Sequence, residues 1–248
     1  EINFELTLEP IRGLKILLTT NRTDNHSRQI QFMYDNMPVS LSGSYTKTHC
    51  AIRTALRGSS ASNGYDSPAF NKFIENIPVI ANRLEEKYHG LHYPEGGFMA
   101  GNVNAGNLYN PEVGTVSSTG SDVLIPAFLA AYTGTDARKQ YLSPSPSLAE
   151  ALPNWRITYD GLIYLGNLGN IFKTFTLSHA YQCTYTVGSY SSYLNWLSAD
   201  GDYGFTLDEI SGNPIPSSPY NISSVAITEK FAPLIGASVT LKNDMTFN

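Results

Sequence analysis

The sequence predicts a mainly β protein. It fits an arc of a large antiparallel transmembrane β-barrel with an inserted helical and loop element; the alternative is a soluble β-sandwich. Three observations lead there. First, residues 175–187, FTLSHAYQCTYTV, alternate strictly. Phe175, Leu177, His179, Tyr181, Cys183, Tyr185 and Val187 share one face, and Thr176, Ser178, Ala180, Gln182, Thr184 and Thr186 share the other. A period of two is that of a strand with unlike faces. At ~3.3 Å per residue the run is roughly 43 Å long, enough to cross a hydrocarbon core of ~30 Å at a tilt of ~45°. Second, only 15% of residues are charged while Tyr numbers 16, against about 25% charged in soluble domains. Barrel walls collect such rings at membrane interfaces. Third, helical spacing is confined to the middle of the chain, giving strands over 1–45, an insertion over 46–152 and strands over 153–248.

The elements follow in order. Ile2, Phe4, Leu6 and Leu8 alternate with polar residues, Glu9–Gly13 supplies Pro and Gly for a turn, and Leu14, Ile16 and Leu18 resume the alternation; this is a hairpin. NRTDNHS (21–27) reads as a polar loop, followed by short alternations at Ile30, Phe32, Tyr34 and at Val39, Leu41, Gly43, Tyr45. Phe70, Phe73, Ile74, Ile77, Ile80, Ala81 and Leu84 form one helical stripe after the cap Ser67 and Pro68. Pro78 must kink this helix or start a second. Residues 90–120 read as a long loop. Ser121-Asp122 then caps an apolar helix, VLIPAFLAAYTG, ended by Gly134, and SPSPSLAEALP (143–153) is a connector. Strand patterns return at Trp155, Ile157, Tyr159, through the long strand, at Val225, Ile227, Phe231, and from Ile235 to Phe247. The chain opens and closes inside strand patterns, which reads as a piece of a longer chain.

In the barrel reading, Phe175, Leu177, Tyr181, Tyr185 and Val187 face lipid, and Thr176, Gln182 and Thr184 face a wet lumen. The polar face suits the solvent side of a soluble sheet equally well. Val123, Leu124, Phe128, Leu129 and Tyr132 belong to the most apolar segment, which reads as a core helix or as a gate, plug or partner-docking helix.

The net charge of −5 and the lack of a basic stripe exclude nucleic acid as a partner. Cys50 and Cys183 lie far apart and make no disulfide framework or metal motif. No apolar run reaches the ~18 residues of a membrane helix. His89 and His92 form an H-x-x-H pair with nothing nearby to complete a ligand set, and the acidic pairs Glu85-Glu86 and Asp208-Glu209 read as solvated surface. No nucleophile elbow, P-loop or dinucleotide fingerprint occurs. The expectation is a chain with no catalytic residues, metal or cofactor; an envelope hydrolase is the least supported alternative, after a secreted sandwich that binds glycans through its tyrosines.

Four strings carry a resemblance: TLEPIRGLKILLTTNRT at 7–23, SDVLIPAFLAAYTGTDA at 121–137, LPNWRITYDGL at 152–162 and FKTFTLSHAYQCTYTVGSY at 172–190. In order and spacing they resemble the C-terminal part of the SprA/Sov family, the outer-membrane translocon of the type IX secretion system of Bacteroidetes. Residues 42–58 and 90–120 follow the family pattern only loosely. The resemblance implies a fragment of a very large outer-membrane barrel that passes folded cargo proteins. It implies as partners the remainder of the same barrel, secreted cargo, a smaller outer-membrane barrel subunit, a periplasmic plug and membrane lipid, and in some species a role in gliding motility. Transport of this kind makes and breaks no bond.

Overall fold

A computed structural model describes residues 1–30, 39–55, 64, 66–143 and 152–247. Its frame is an eight-stranded antiparallel sheet. The chain starts with the hairpin β1 (Ile2–Ile11) and β2 (Leu14–Gln29), then β3 (Ser40–Thr48). The hairpin turns at Arg12-Gly13, where Gly13 has φ +81°, a backbone region that costs a side-chain-bearing residue more than glycine. β2 continues straight through the expected loop NRTDNHS. Residues Arg22–Gln29 pair with β3 from Lys47 to Ser40. Polar side chains occupy both faces there, so no alternation marks the strand, and backbone pairing alone defines it.

Helices follow: α1 (Pro68–Tyr88) and α2 (Ser121–Thr133). Ser67 Oγ accepts from the Phe70 amide at 3.3 Å, and α1 runs unbroken past Pro78. The cap of α2 is Gly120, with Ser121 and Asp122 already helical; Gly134 ends it at φ +68°, as a left-handed C-cap does. Then come β4 (Asn154–Tyr159), the single turn α3 (Leu168–Ile171), β5 (Phe172–Ser192), a separate three-stranded sheet of β6 (Leu197–Asp200), β7 (Tyr203–Leu207) and β8 (Pro214–Ser217), and last β9 (Tyr220–Phe231), β10 (Gly236–Leu241) and β11 (Thr246–Phe247). The expected alternation at Phe32 and Tyr34 and most of the connector at 143–153 lie outside the described residues.

The 21-residue β5 organises the sheet. On one side, β3 pairs with its residues 184–191 and β4 with 177–181. β2 pairs with the same two strands. β3 and β4 therefore run in one direction along one lane, and residues 49–153 leave that lane between them. On the other side, β9 pairs with residues 181–192 and β10 with 172–178, so residues 232–235 interrupt that lane too. Both breaks fall near Ala180–Cys183. They divide the sheet into an open half (β1, the start of β2, β4, the first part of β5, β10, β11) and a covered half (β3, the rest of β5, β9).

A second core lies within the insertion. Ile80, Leu84, Tyr88, Tyr93, Met99, Tyr109 and Val123 pack with Phe205 of β7. The stretch 90–120 thus contributes buried side chains as well as loop. Residues 197–217 form a sheet that no sequence signal marked, because its strands are four or five residues long.

Candidate site: an apolar belt and its covered continuation

Partners in register across antiparallel strands project to the same face, so the register reads out each face row by row. One row joins Leu6, Leu18, Trp155, Tyr181 and Phe231. The next joins Leu8, Ile16, Ile157 and His179. A third joins Leu14, Tyr159, Leu177 and Ala237, and a fourth Phe175, Val239 and Phe247. The result is an apolar belt across the whole open half. The reverse face carries Thr7, Lys15, Arg156, Thr158, Thr176, Ser178, Ser238 and Thr240, with Leu17 and Ala180 the apolar members of its rows.

Nothing among the described residues buries the β1 end of this belt: Phe4 is 58% exposed, and Ile2, Leu6 and Leu8 are exposed with it. Phe175 and Leu177 are half-buried on the same face. Rings edge the belt. Trp155 stacks on Tyr181 with centroids 4.5 Å apart, and Tyr181 meets Phe231 at 5.2 Å. Towards the far end Phe172 stacks on Phe175 at 5.5 Å, and the Arg12 guanidinium lies 4.3 Å from the Tyr164 ring centre. His179 Nδ1 is 2.6 Å from the Leu234 carbonyl oxygen, so this histidine is a packed member of the belt.

The same face of β5 changes character in the covered half. Tyr181, Tyr185 and Val187, expected to face lipid, are fully buried by protein. Ile125 and Leu129 of α2 pack on Tyr45, Tyr185 and Val187, with Phe128, Val225 and Ile227 around them. Tyr181 accepts from the Ala51 amide at 2.9 Å and donates to Glu229. Lys47, in register with Tyr185, is buried on this face as well, and a buried ammonium requires polar protein surroundings rather than acyl chains. Alternation found the apolar side of the strand; a helix distant in sequence covers half of it. Thr176, Gln182 and Thr184 stand on the opposite face, with Gln182 exposed and the two threonines half-buried.

The helix α2 is apolar almost all round because it is a middle layer. Val123 and Ala127 pack towards α1 and Phe205, and Phe128 and Leu129 towards the sheet. Leu124 is half-buried, and Tyr132 packs at a tilt on Phe128 with centroids 4.6 Å apart while its carbonyl accepts from the Thr54 hydroxyl.

Other expected surface groups have structural work. Glu85 accepts from Tyr109 Oη at 2.6 Å and from the Val116 amide at 3.0 Å, so it ties the loop to α1 instead of facing solvent. His89 stacks on Tyr109, and the His92 backbone bridges to Leu108. Among the described residues no group of three or more His, Cys, Asp or Glu is placed to hold a metal. Asp122 lines a cavity of about 270 Å³ with Tyr88, Tyr203 and Tyr220; burial pushes its carboxyl up to about 6, with its own and the Val123 amide holding it back. Burial, with the Lys47 charge as a smaller cause, lowers His49 to about 4.

Among known proteins, no family model matches the chain and no curated protein matches it.

Proposed function

We propose that the chain is a wall segment of a large outer-membrane β-barrel that conducts folded proteins across the membrane, in the manner of the type IX secretion translocon its sequence resembles. The observation that carries this reading is the belt. It is continuous over every strand of the open half, it is uncovered at β1, and its reverse face is mainly polar, with Lys15 and Arg156 among threonines and serines. β1 is ten residues long, roughly 33 Å at ~3.3 Å per residue; tilted by ~40° it rises about 25 Å, the height of the apolar band of outer-membrane barrels. On this view the rings of Trp155 and Phe231, and those of Phe172 and Phe175, would serve as the interfacial girdles of the wall. In this reading the polar face lines the lumen, the covered half and the insertion stand beyond the lipid, and the remainder of the barrel, the smaller barrel subunit and the periplasmic plug belong to the same assembly. A β-sandwich would need a second sheet over the belt, and the three-stranded sheet packs on the helices instead.

Charge scanning of β1 in the full-length protein tests the proposal. Leu8→Lys should deplete the protein from the outer membrane and lower cargo secretion, whereas Thr7→Lys should leave both near wild type. A lipid-facing Lys near the midplane costs roughly 2–4 kcal/mol. Equal loss from both substitutions, or a protein recovered from the cell without detergent, would refute the wall assignment.

A further inference from the structure

The break in the β3–β4 lane brings together two cysteines that the sequence holds far apart. Residues 49–153 leave the sheet beside Cys183 and return beside it. At the outgoing end the His49 amide donates to the Cys183 carbonyl at 3.0 Å. At the returning end the Cys183 amide donates to Asn154 Oδ1 at 2.7 Å. The Ala51 amide donates to the hydroxyl of Tyr181, two residues before Cys183 on the same face of β5, at 2.9 Å. The residues on either side of Cys50 are thus tied to β5, His49 through the Cys183 carbonyl and Ala51 through the Tyr181 hydroxyl. Cys50 packs on the cluster formed by Cys183, Tyr181 and Ala51, and both thiols are free. A disulfide spans about 4.4–6.8 Å between Cα atoms, so it requires two cysteines packed in one cluster, as these are.

The two thiols differ in access. Cys183 is fully buried. Cys50 is half-exposed and lines a surface cleft of about 360 Å³ with His49, Ile52, Arg53 and Leu129. That is the arrangement of an attacking and a resolving cysteine: one thiol meets the oxidant and its buried neighbour completes the exchange.

We infer that Cys50 and Cys183 form an intramolecular disulfide that staples the outgoing end of the helical insertion to the central strand. The oxidant is a disulfide donor, either an oxidised dithiol protein or oxidised glutathione. The Cys50 thiolate attacks one donor sulfur and releases the other as a thiolate, giving a mixed disulfide. Cys183 then attacks Cys50 Sγ and expels the second donor thiolate, which takes up the proton Cys183 loses. Two protein thiols are oxidised, one donor disulfide is reduced to two thiols, and the protons balance. The bond closes a loop over residues 50–183. In the chain-entropy account a loop this long disfavours the opened chain more than a short one, so oxidation holds α2 over Tyr185 and Val187. This inference does not depend on the membrane reading.

The test uses the full-length protein, folded, exposed to oxidised glutathione, then alkylated and digested with trypsin without reduction. Cys50 falls in the peptide 48–53 and Cys183 in 174–230. The expected product is these two peptides joined, two hydrogens lighter than their sum and separated by reduction. In Cys183→Ser the peptide 48–53 should instead carry glutathione. Wild-type protein in which Cys50 carries glutathione while Cys183 remains an alkylatable thiol would overturn the proposal, as would two free thiols or a 48–53 peptide joined to a second copy of itself.

Discussion

The open and covered halves of β5 carry one alternation and meet different surroundings. Phe175 and Leu177 belong to a belt whose β1 end is exposed, while Tyr185 and Val187, on the same face of the same strand, are sealed under α2. The difference lies in the neighbouring lanes. Below Ala180 the lane beside β5 is β4, which runs on without excursion; at Cys183 it opens, and α2, which lies between the two ends of the break in sequence, covers the apolar face. A period of two reports which side of a strand avoids water, and the connectivity decides whether lipid or protein supplies the apolar surroundings.

The largest expected effect separates those two environments. Tyr185→Ala removes a fully buried ring and should cost about 3–5 kcal/mol of stability, as large-to-small core changes do. The loss should be the same in every detergent, because the cavity is lined by α2 and β9. Leu6→Ala in the belt should cost only about 0.5 kcal/mol, the size of a Leu–lipid insertion contribution, and should vary with the surrounding amphiphile. Urea titrations of both variants in two detergents measure this. A Tyr185→Ala loss that depends on detergent would mean that α2 does not seal the strand.

Glu85→Ala sharpens the comparison from the insertion side. The carboxylate accepts two hydrogen bonds from the loop, and leaving a buried donor unpaired costs about 1–3 kcal/mol. The expected outcome is faster proteolysis within 90–120 with no change in the amount of protein in the membrane. A variant lost from the membrane altogether would show that the belt and the insertion fold as one unit.

How much of this was legible in the sequence follows from the physics of each signal. The hairpin, β4, β5 and both helices carry unlike faces or a stripe together with caps and turn residues, so period and capping reveal them. The polar end of β2 has no unlike faces, since Arg22, Asp24 and His26 lie on one side and Thr23 and Asn25 on the other; only its partner strand makes it a strand. β6–β8 are too short to show a period. Alternation puts Tyr181, Tyr185 and Val187 on one face, but protein rather than lipid lies against them: Ile125 and Leu129, some sixty positions away, on Tyr185 and Val187, and Ala51 on Tyr181. Glu85 looked like solvated charge because its partners, Tyr109 and Val116, lie in a loop without periodicity. The nearness of Cys50 to Cys183 depends on where a lane breaks, which no local pattern encodes.

The smallest expected effect is a near cancellation. His49, beside the covered half, is lowered to about 4 from an unfolded value of ~6.5. Between those values the unfolded chain binds a proton that the folded one refuses, so stability falls as pH drops through this window. Asp122 at the start of α2 is raised to about 6 from ~3.9 when unfolded. There the folded chain binds the extra proton, and stability rises as pH drops from about 6 to 4. Each contribution is about 3 kcal/mol by the linkage relation, and the two oppose over nearly the same range. Wild-type stability should therefore be nearly flat from about pH 6 to 4. Asp122→Asn removes one side of the balance and should lose stability on acidification; His49→Phe removes the other and should gain it. Urea midpoints at three pH values suffice. Parallel slopes in the two variants would mean that the covered half admits water to one of these side chains, and the distinction from the open half would then weaken at that point.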